Sequence, residues 1–254
     1  MILEESIEHV VEEENYFISM TDMMVGLVFI FIILLMYFAL QFRDVTEQLS
    51  GADKTRAQIL RELERTLKSK GVQVTIDTQN GVLRLPDAIL FDSGRADLKP
   101  QGEVAIGHLA SALEDVLPCY TDSPDPRSRR PSACPSTPHR IESLYVEGHT
   151  DDVPLSGGIQ FKDNWDLSVA RATNTYRALV RTSPDVALRC ARRDANCEPV
   201  LSVSGYGPQR PVPDHAGTLD ERRQRDRRID LRILMVTPDS GEAAQAVAQR
   251  LRRN

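Results

Sequence analysis

Charge is missing from one long stretch of this 254-residue sequence: from Met23 to Phe42 no residue is charged and only Gln41 is strongly polar. At about 1.5 Å per residue, a helix over that run spans roughly 30 Å, the thickness of a bilayer's hydrocarbon core. Lysine and arginine are absent from the first fifteen residues, which hold six glutamates. With no basic leader, no small-residue cleavage site and an apolar run this long, a cleaved signal peptide fits poorly. A basic excess is also lacking. The formal net charge is −6, so no nucleic-acid surface is expected. Cysteine does not occur before residue 119, and there are no internal repeats. The mean hydropathy of −0.32 fits one span plus a soluble remainder. That remainder, roughly 210 residues, suits one or two domains.

What is present begins with Tyr16 to Phe42, YFISMTDMMVGLVFIFIILLMYFALQF, read as a transmembrane helix. Asp22 lies one or two turns inside it if the helix starts near Tyr16. An ionisable group at that depth is costly, and it marks a functional site by default. Tyr16, Phe17 and Ile18 carry the apolar surface past the carboxylate. The plainer alternative places Asp22 at the headgroups, with Ser19 and Thr21 as helix-start residues.

Two signals disagree about orientation. Residues 43–70 carry seven Lys and Arg, which by the positive-inside rule puts the C-terminal body in the cytoplasm. Against that, Cys119, Cys134, Cys190 and Cys197 form two local pairs in loop-like surroundings. That pattern points to disulfides in an oxidising compartment. Zinc ranks lower, because Cys190 and Cys197 are too far apart for a knuckle. The cysteines are preferred, giving a cytoplasmic acidic tail (1–15), a single span (16–42) and a periplasmic body.

Past the membrane, Val45, Leu49, Ala52, Ile59, Leu60, Leu63 and Leu67 recur at helical spacing, so 43–70 reads as a linker helix ended by Gly71. Its narrow stripe suits a dimer seam or a surface lying on the domain. Residues 72–85 read as a hairpin with a type I′ turn at Asn80-Gly81. A loop follows over 87–99, then an amphipathic helix Pro100–Leu117 with Val104, Ile106, Leu109, Leu113 and Leu117. The Pro/Ser/Arg-rich stretch 118–139 cannot form a core, and a Cys119–Cys134 bridge is its natural staple. A strand Ile141–Glu147, a helix Leu167–Val180, a second stapled excursion 183–198, a short strand Leu201–Ser204, a helical turn at 221–228 and a last strand Ile229–Val236 complete the body. Residues 239–254 read as a helical tail. The class is α+β, with a sheet of about four strands covered by helices on one face over 71–238.

The densest constellation is VEGHTDDVPLSGGIQFKDNWDLSVARA, from Val146 to Ala172. Strand, glycine, polar loop and helix bring Thr150, Asp151, Asn164 and Arg171 to the strand's carboxyl end. No nucleophile–base pair is placed there, so hydrolysis is disfavoured and no enzyme is expected. A fixed carboxylate and guanidinium suit a zwitterion instead, Asp151 taking an ammonium and Arg171 forking a carboxylate. An internal Asp151–Arg171 salt bridge, with Asn164 capping the helix, fits equally well. Glu147, His149, Asp151 and Asp152 also suggest a metal site, but no second histidine is near in sequence. His149 reads as a structural hydrogen-bonder, with no metal expected.

Leu90–Leu98 (LFDSGRADL), Val146–Asp151 (VEGHTD), Asn164–Ala172 (NWDLSVARA), Ser204–Gly207 (SGYG) and Asp226–Leu231 (DRRIDL) together resemble the OmpA-like peptidoglycan-binding domain, in order over about residues 72–236. The Asp151-to-Arg171 spacing and the Asn164-Trp165 pair look like its MotB-type stator branch. The resemblance implies that Asp151 and Arg171 hold the diaminopimelate of a stem peptide, with Thr150, Asn164 and Leu167 lining the pocket. Where that family usually has Asn, this chain has Asp226, and its cysteine-bearing insertions exceed the family pattern.

The span resembles the MotB-type helix, whose ion-carrying aspartate maps to Asp22. Segment and short acidic tail look most like the ZorB-type stator subunits of Zorya anti-phage defence, ahead of flagellar stators. That implies two copies of the chain inside a pentamer of a larger MotA/ZorA-like membrane partner. The soluble domains would grip peptidoglycan while ions pass Asp22. No cofactor is implied, and H+ is the expected ion. A passive membrane-to-wall anchor, needing Asp151 and Arg171 but not Asp22, is the alternative from a different class.

Overall fold

The computed structural model describes residues 2–125, 130–155, 160–191, 197–214 and 216–237, with backbone only for 2–19, 44, 45 and 48. The expected tail 239–254 lies outside the described residues. Two compact units are present, 1–49 and 50–254. The first helix, α1 (Ile2–Ser69), contributes to both.

In the first unit, Met20–Arg43 has a mean hydropathy of 2.8 and is long and apolar enough to cross a membrane. Its side chains are exposed apart from Gln41, which is half-buried. Polar groups near its end are satisfied within the helix, as an apolar solvent demands. Gln41 Nε2 donates to Tyr37 Oη at 3.3 Å, and Thr46 Oγ1 donates to the Phe42 carbonyl at 2.8 Å. Asp22 is the third residue of this segment, at its N-terminal end.

In the second unit, the last turns of α1 belong to the core. Ile59, Leu60, Leu63 and Leu67 are fully buried. This part of the stripe is therefore used against the domain, while Leu49 is exposed. The unit begins at Ser50, ahead of the expected boundary at 71. Gly71, at φ 79°, closes the helix. Its N–H donates to Lys68 O at 3.0 Å, and that of Val72 donates to Leu67 O at 3.0 Å. This is the paired C-terminal closure that a left-handed glycine allows.

Five strands form a sheet in the order β1-β2-β5-β3-β4. They are β1 (Thr75–Asp77), β2 (Val82–Pro86), β3 (Ile141–His149), β4 (Leu201–Gly205) and β5 (Arg228–Met235). Only β3 and β4 pair in parallel. The β1–β2 turn takes four residues, 78–81, not two. Asp77 draws the chain in by accepting from Asn80 N at 3.1 Å and Asn80 Nδ2 at 2.9 Å. Gly81 alone of the turn adopts positive φ, so a type I′ turn is ruled out.

The expected loop 87–99 opens with a helical turn, α2 (Asp87–Leu90). Then come α3 (Pro100–Val116), α4 (Asn164–Thr182), a short α5 (Pro184–Ala187) and α6 (Leu219–Asp226). Alternation along the strands splits the sheet into two faces. Leu83, Leu85, Leu144, Val146, Leu231 and Ile233 join Ile106, Leu109 and Leu113 of α3 in one apolar core. Val104 of α3 points to solvent.

Disulfides join Cys119 to Cys134 and Cys190 to Cys197. The two stapled excursions also meet each other. Asp122 N donates to Cys190 O at 2.7 Å, and Cys190 N donates to Asp122 O at 3.0 Å.

Candidate functional site

At the carboxyl end of β3 the chain leaves the sheet into a cleft of about 770 Å³. Gly148 permits the geometry, because a Cβ there would collide with the Ser168 carbonyl oxygen. Only a bare backbone lets α4 lie this close to β3. The helix starts on Asp163, whose carboxylate accepts the N–H groups of Trp165 and Asp166 at 2.9 and 3.0 Å. Asn164 is thus not the cap. Its Nδ2 instead donates to the carbonyls of Asp151 (3.2 Å) and Val153 (2.8 Å), pinning the loop to the helix. Thr150 N donates to Gly207 O at 3.0 Å.

Thr150, Asp151, Asn164, Leu167 and Arg171 all line this cleft. The internal Asp151–Arg171 salt bridge is not formed, since Arg171 pairs with Asp87 and Asp151 with Arg227. Arg171 Nε donates to Arg95 O at 2.8 Å and its Nη2 to Asp92 O at 3.2 Å. Its Nη1 stands 3.2 Å from Asp87 Oδ1, and the guanidinium lies over the Phe91 ring, 5.1 Å from the centroid. Asp151 pairs with Arg227, whose Nη1 donates to Oδ2 at 2.5 Å. Val153 N donates to the other oxygen at 3.2 Å. Burial pushes the Asp87 carboxyl up, against the pull of Arg171 and Arg227. Burial likewise pushes the Arg171 guanidinium down, against Asp87.

Asp87 and Arg227 were not singled out from the sequence. The available signal was weak: an acid directly after a strand, and the first Arg of the DRRIDL motif. Asp226 is not among the lining residues. It accepts Val212 N at 2.7 Å and so holds the loop after β4.

The sheet face opposite the apolar core carries an ion network. Cross-strand register sets Arg84, Asp230 and Glu147 in one row. Arg228 Nε lies 3.0 Å from both Asp230 oxygens. Arg232 forks Glu147 at 2.8 and 2.9 Å. His149 is 1% exposed and stacks on Tyr206 at 5.4 Å. Its Nε2 stands 3.4 Å from Asp230 and 3.8 Å from Glu147. Neither ring nitrogen makes a hydrogen bond, so the residue is a stacked member of the network, not the expected hydrogen-bonder. Glu147, His149 and Asp230 have metal-ligand spacing. Both carboxylates, however, already accept from guanidinium groups, Glu147 from two nitrogens of Arg232 and Asp230 from the single Nε of Arg228, which a cation would have to displace.

Comparison with known proteins places likenesses on this chain. No family model matches it. Motility protein B of Bacillus subtilis is 28% identical over 177 residues, 68% of this chain and 54% of that protein. The uncharacterised protein YtxE of the same organism is 23% identical over 180 residues, 69% of this chain and 59% of the relative. The chain therefore spans little more than half the length of these relatives. A solved MotB-like protein from Desulfovibrio vulgaris overlays 77% of this chain and 99% of its own, at 23% identity and a TM-score of 0.48.

Proposed function

We propose that this chain is a MotB-like, single-pass inner-membrane subunit that anchors a membrane complex to peptidoglycan. In this reading α1 crosses the membrane with its N-terminus in the cytoplasm. The unit from Ser50 stands in the periplasm, where both disulfides are stable. The observation that carries the reading is the cleft at the end of β3, where Arg171, Asp87, Arg227 and Asp151 follow one another with alternating charge, Asp92 and Lys99 also standing in its lining. An alternating set matches a zwitterion such as the free end of a diaminopimelate side chain. Likeness to motility protein B supports the same reading.

The finer proposal is a stator. Two copies sit inside a pentamer of a larger MotA/ZorA-like partner, and Asp22 carries H+ past the interface, powering anti-phage defence of the Zorya type. Flagellar rotation is the second reading, favoured by the likeness to motility protein B.

Wall binding is tested by co-sedimenting the detergent-solubilised full-length chain with purified sacculi. Asp151→Asn should lose roughly tenfold or more in affinity, as expected for a charge-assisted contact. Unchanged sedimentation of a folded Asp151→Asn protein would refute the cleft as the wall site.

A further inference from the structure

We infer that the indole of Trp165 is a stacking platform for a sugar ring of the peptidoglycan glycan, outside the cleft and next to it; this rests on the wall-binding reading above. A Cβ at Gly207 would stand 3.2, 3.3 and 3.4 Å from Cδ2, Cγ and Cε2 of the indole. Three ring atoms at nearly one distance put Gly207 over one face of the ring. Trp165 is nonetheless 44% exposed, so the opposite face is open to water. Val169, one helical turn further on α4, is 46% exposed and lengthens the apolar strip. The mount is rigid. Ser168 Oγ donates to the Trp165 carbonyl at 2.8 Å and accepts Gly207 N at 3.0 Å, which locks the helix start to the loop after β4. A ring held in place before its ligand arrives loses little freedom on binding.

The first turn of α4 also offers acceptors. Asp163 caps the helix through Oδ1 alone, and Asp166 accepts Lys162 N at 3.1 Å through Oδ2. Asp163 Oδ2 and Asp166 Oδ1 make no hydrogen bond among the described residues. A pyranose has C–H groups on its faces and hydroxyl and acetamide N–H donors around its edge. The C–H face suits the electron-rich indole, and the edge donors suit free carboxylate oxygens. An anionic polymer would be repelled by the same two carboxylates, so the corner favours a neutral N-acetylated sugar.

The covalent structure of peptidoglycan delivers that sugar. Two residues separate the diaminopimelate of a stem peptide from muramic acid, roughly 10 Å of extended chain. Asn164 lines the cleft, and Trp165 is its chain neighbour, about 3.8 Å away between Cα atoms. A stem seated in the cleft therefore brings its sugar within reach of the indole.

Two probes test this: the free tetrapeptide L-Ala-γ-D-Glu-meso-diaminopimelate-D-Ala, and the same peptide on its N-acetylglucosaminyl-N-acetylmuramyl disaccharide. Titration calorimetry with the full-length chain in detergent reads the gain in affinity that the disaccharide brings. The wild type should gain about fivefold, the worth of one aromatic contact. Trp165→Leu keeps an apolar group on Gly207 but has no flat face, and it should bring the gain to about onefold, with the free peptide bound as before. Trp165→Phe should keep about twofold. Melting curves identify a variant that fails to fold. In that event the wild type decides, since Trp165 is the chain's one tryptophan. The fluorine resonance of 5-fluorotryptophan at 165 should shift with the disaccharide peptide well beyond its shift with the free peptide.

A wild type that gains nothing from the disaccharide, a folded Trp165→Leu that keeps the fivefold gain, or equal fluorine shifts with the two probes overturns the platform while leaving wall binding intact. A wild-type chain that binds neither probe nor sacculi overturns the wall reading and the platform with it.

Discussion

Arg171 Nη1 stands 3.2 Å from Asp87 Oδ1, tying the middle of α4 to the first turn after β2 across the cleft. Removing one partner of a buried pair strands the other. Arg171→Ala should therefore cost about 3–5 kcal/mol of stability, as well as wall binding. Asp87→Asn in the same chain should recover part of that loss, because the stranded charge is gone. Thermal melts of both variants check this, and equal melting of Arg171→Ala and wild type would contradict it.

Acid should act on the sheet's ion network through Glu147. Burial opposes ionisation there, but His149 and the Arg232 fork outweigh it and hold the carboxyl at about 2, below its ordinary 4.5. Arg232 supplies the hydrogen bonds, and His149 Nε2 stands 3.8 Å away. A carboxyl depressed in the folded state adds stability that is complete above about pH 4.5 and disappears as pH falls to about 2, worth about 3 kcal/mol. Asp230, pushed up by burial, works in the opposite direction. The difference between wild type and Glu147→Gln isolates the Glu147 part. Denaturant melts from pH 2 to 6 should show a shallower slope for Glu147→Gln.

The two disulfides close loops with separations of 15 and 7 residues. By loop entropy they are worth about 3 and about 2 kcal/mol. Reduction should lower the melting temperature, and the Cys119→Ser/Cys134→Ser pair should account for the larger share. Non-reducing peptide maps that recover crossed pairs or free thiols would contradict the connectivity.

Asp22→Asn separates motor from tether. Asparagine keeps the size and hydrogen-bonding of aspartate but cannot release a proton. Insertion and co-purification with the membrane partner should survive, and phage protection or motility should be lost. Full activity of an intact Asp22→Asn complex would leave the passive anchor.

Periodicity exposed much of this architecture. The apolar run, the 3.6-residue rhythm of α3 and α4 and the alternation in β3 and β5 are local signals, readable one element at a time. Asp151, Asn164 and Arg171 also lie on one local path, strand to loop to helix, so sequence order brings them to one cleft. Pairing is not local. Arg171 meets Asp87 and Asp151 meets Arg227, partners from distant segments that only sheet order brings together, so spacing wrongly suggested the nearer Asp151–Arg171 pair. The stripe on the last turns of α1 was readable as apolar, but its choice of partner surface depends on the rest of the fold. Asn164 has the chemistry of a helix cap, yet Asp163 stands one residue earlier, and its side chain accepts the N–H groups of Trp165 and Asp166.

The chain's single tryptophan, Trp165, follows Asn164 at the start of α4. It lies against Gly207, with a ring carbon 3.2 Å from where a side chain at 207 would begin. The carbonyl of Gly207 holds Thr150, and Asn164 holds the Asp151 loop. Trp165 is 44% exposed, so its indole sits half in water at the joint between the two loops that frame the cleft. A ligand that moves either loop changes the polarity around the indole. Its emission wavelength then reports occupancy in solution, with no label and no cell wall in the cuvette.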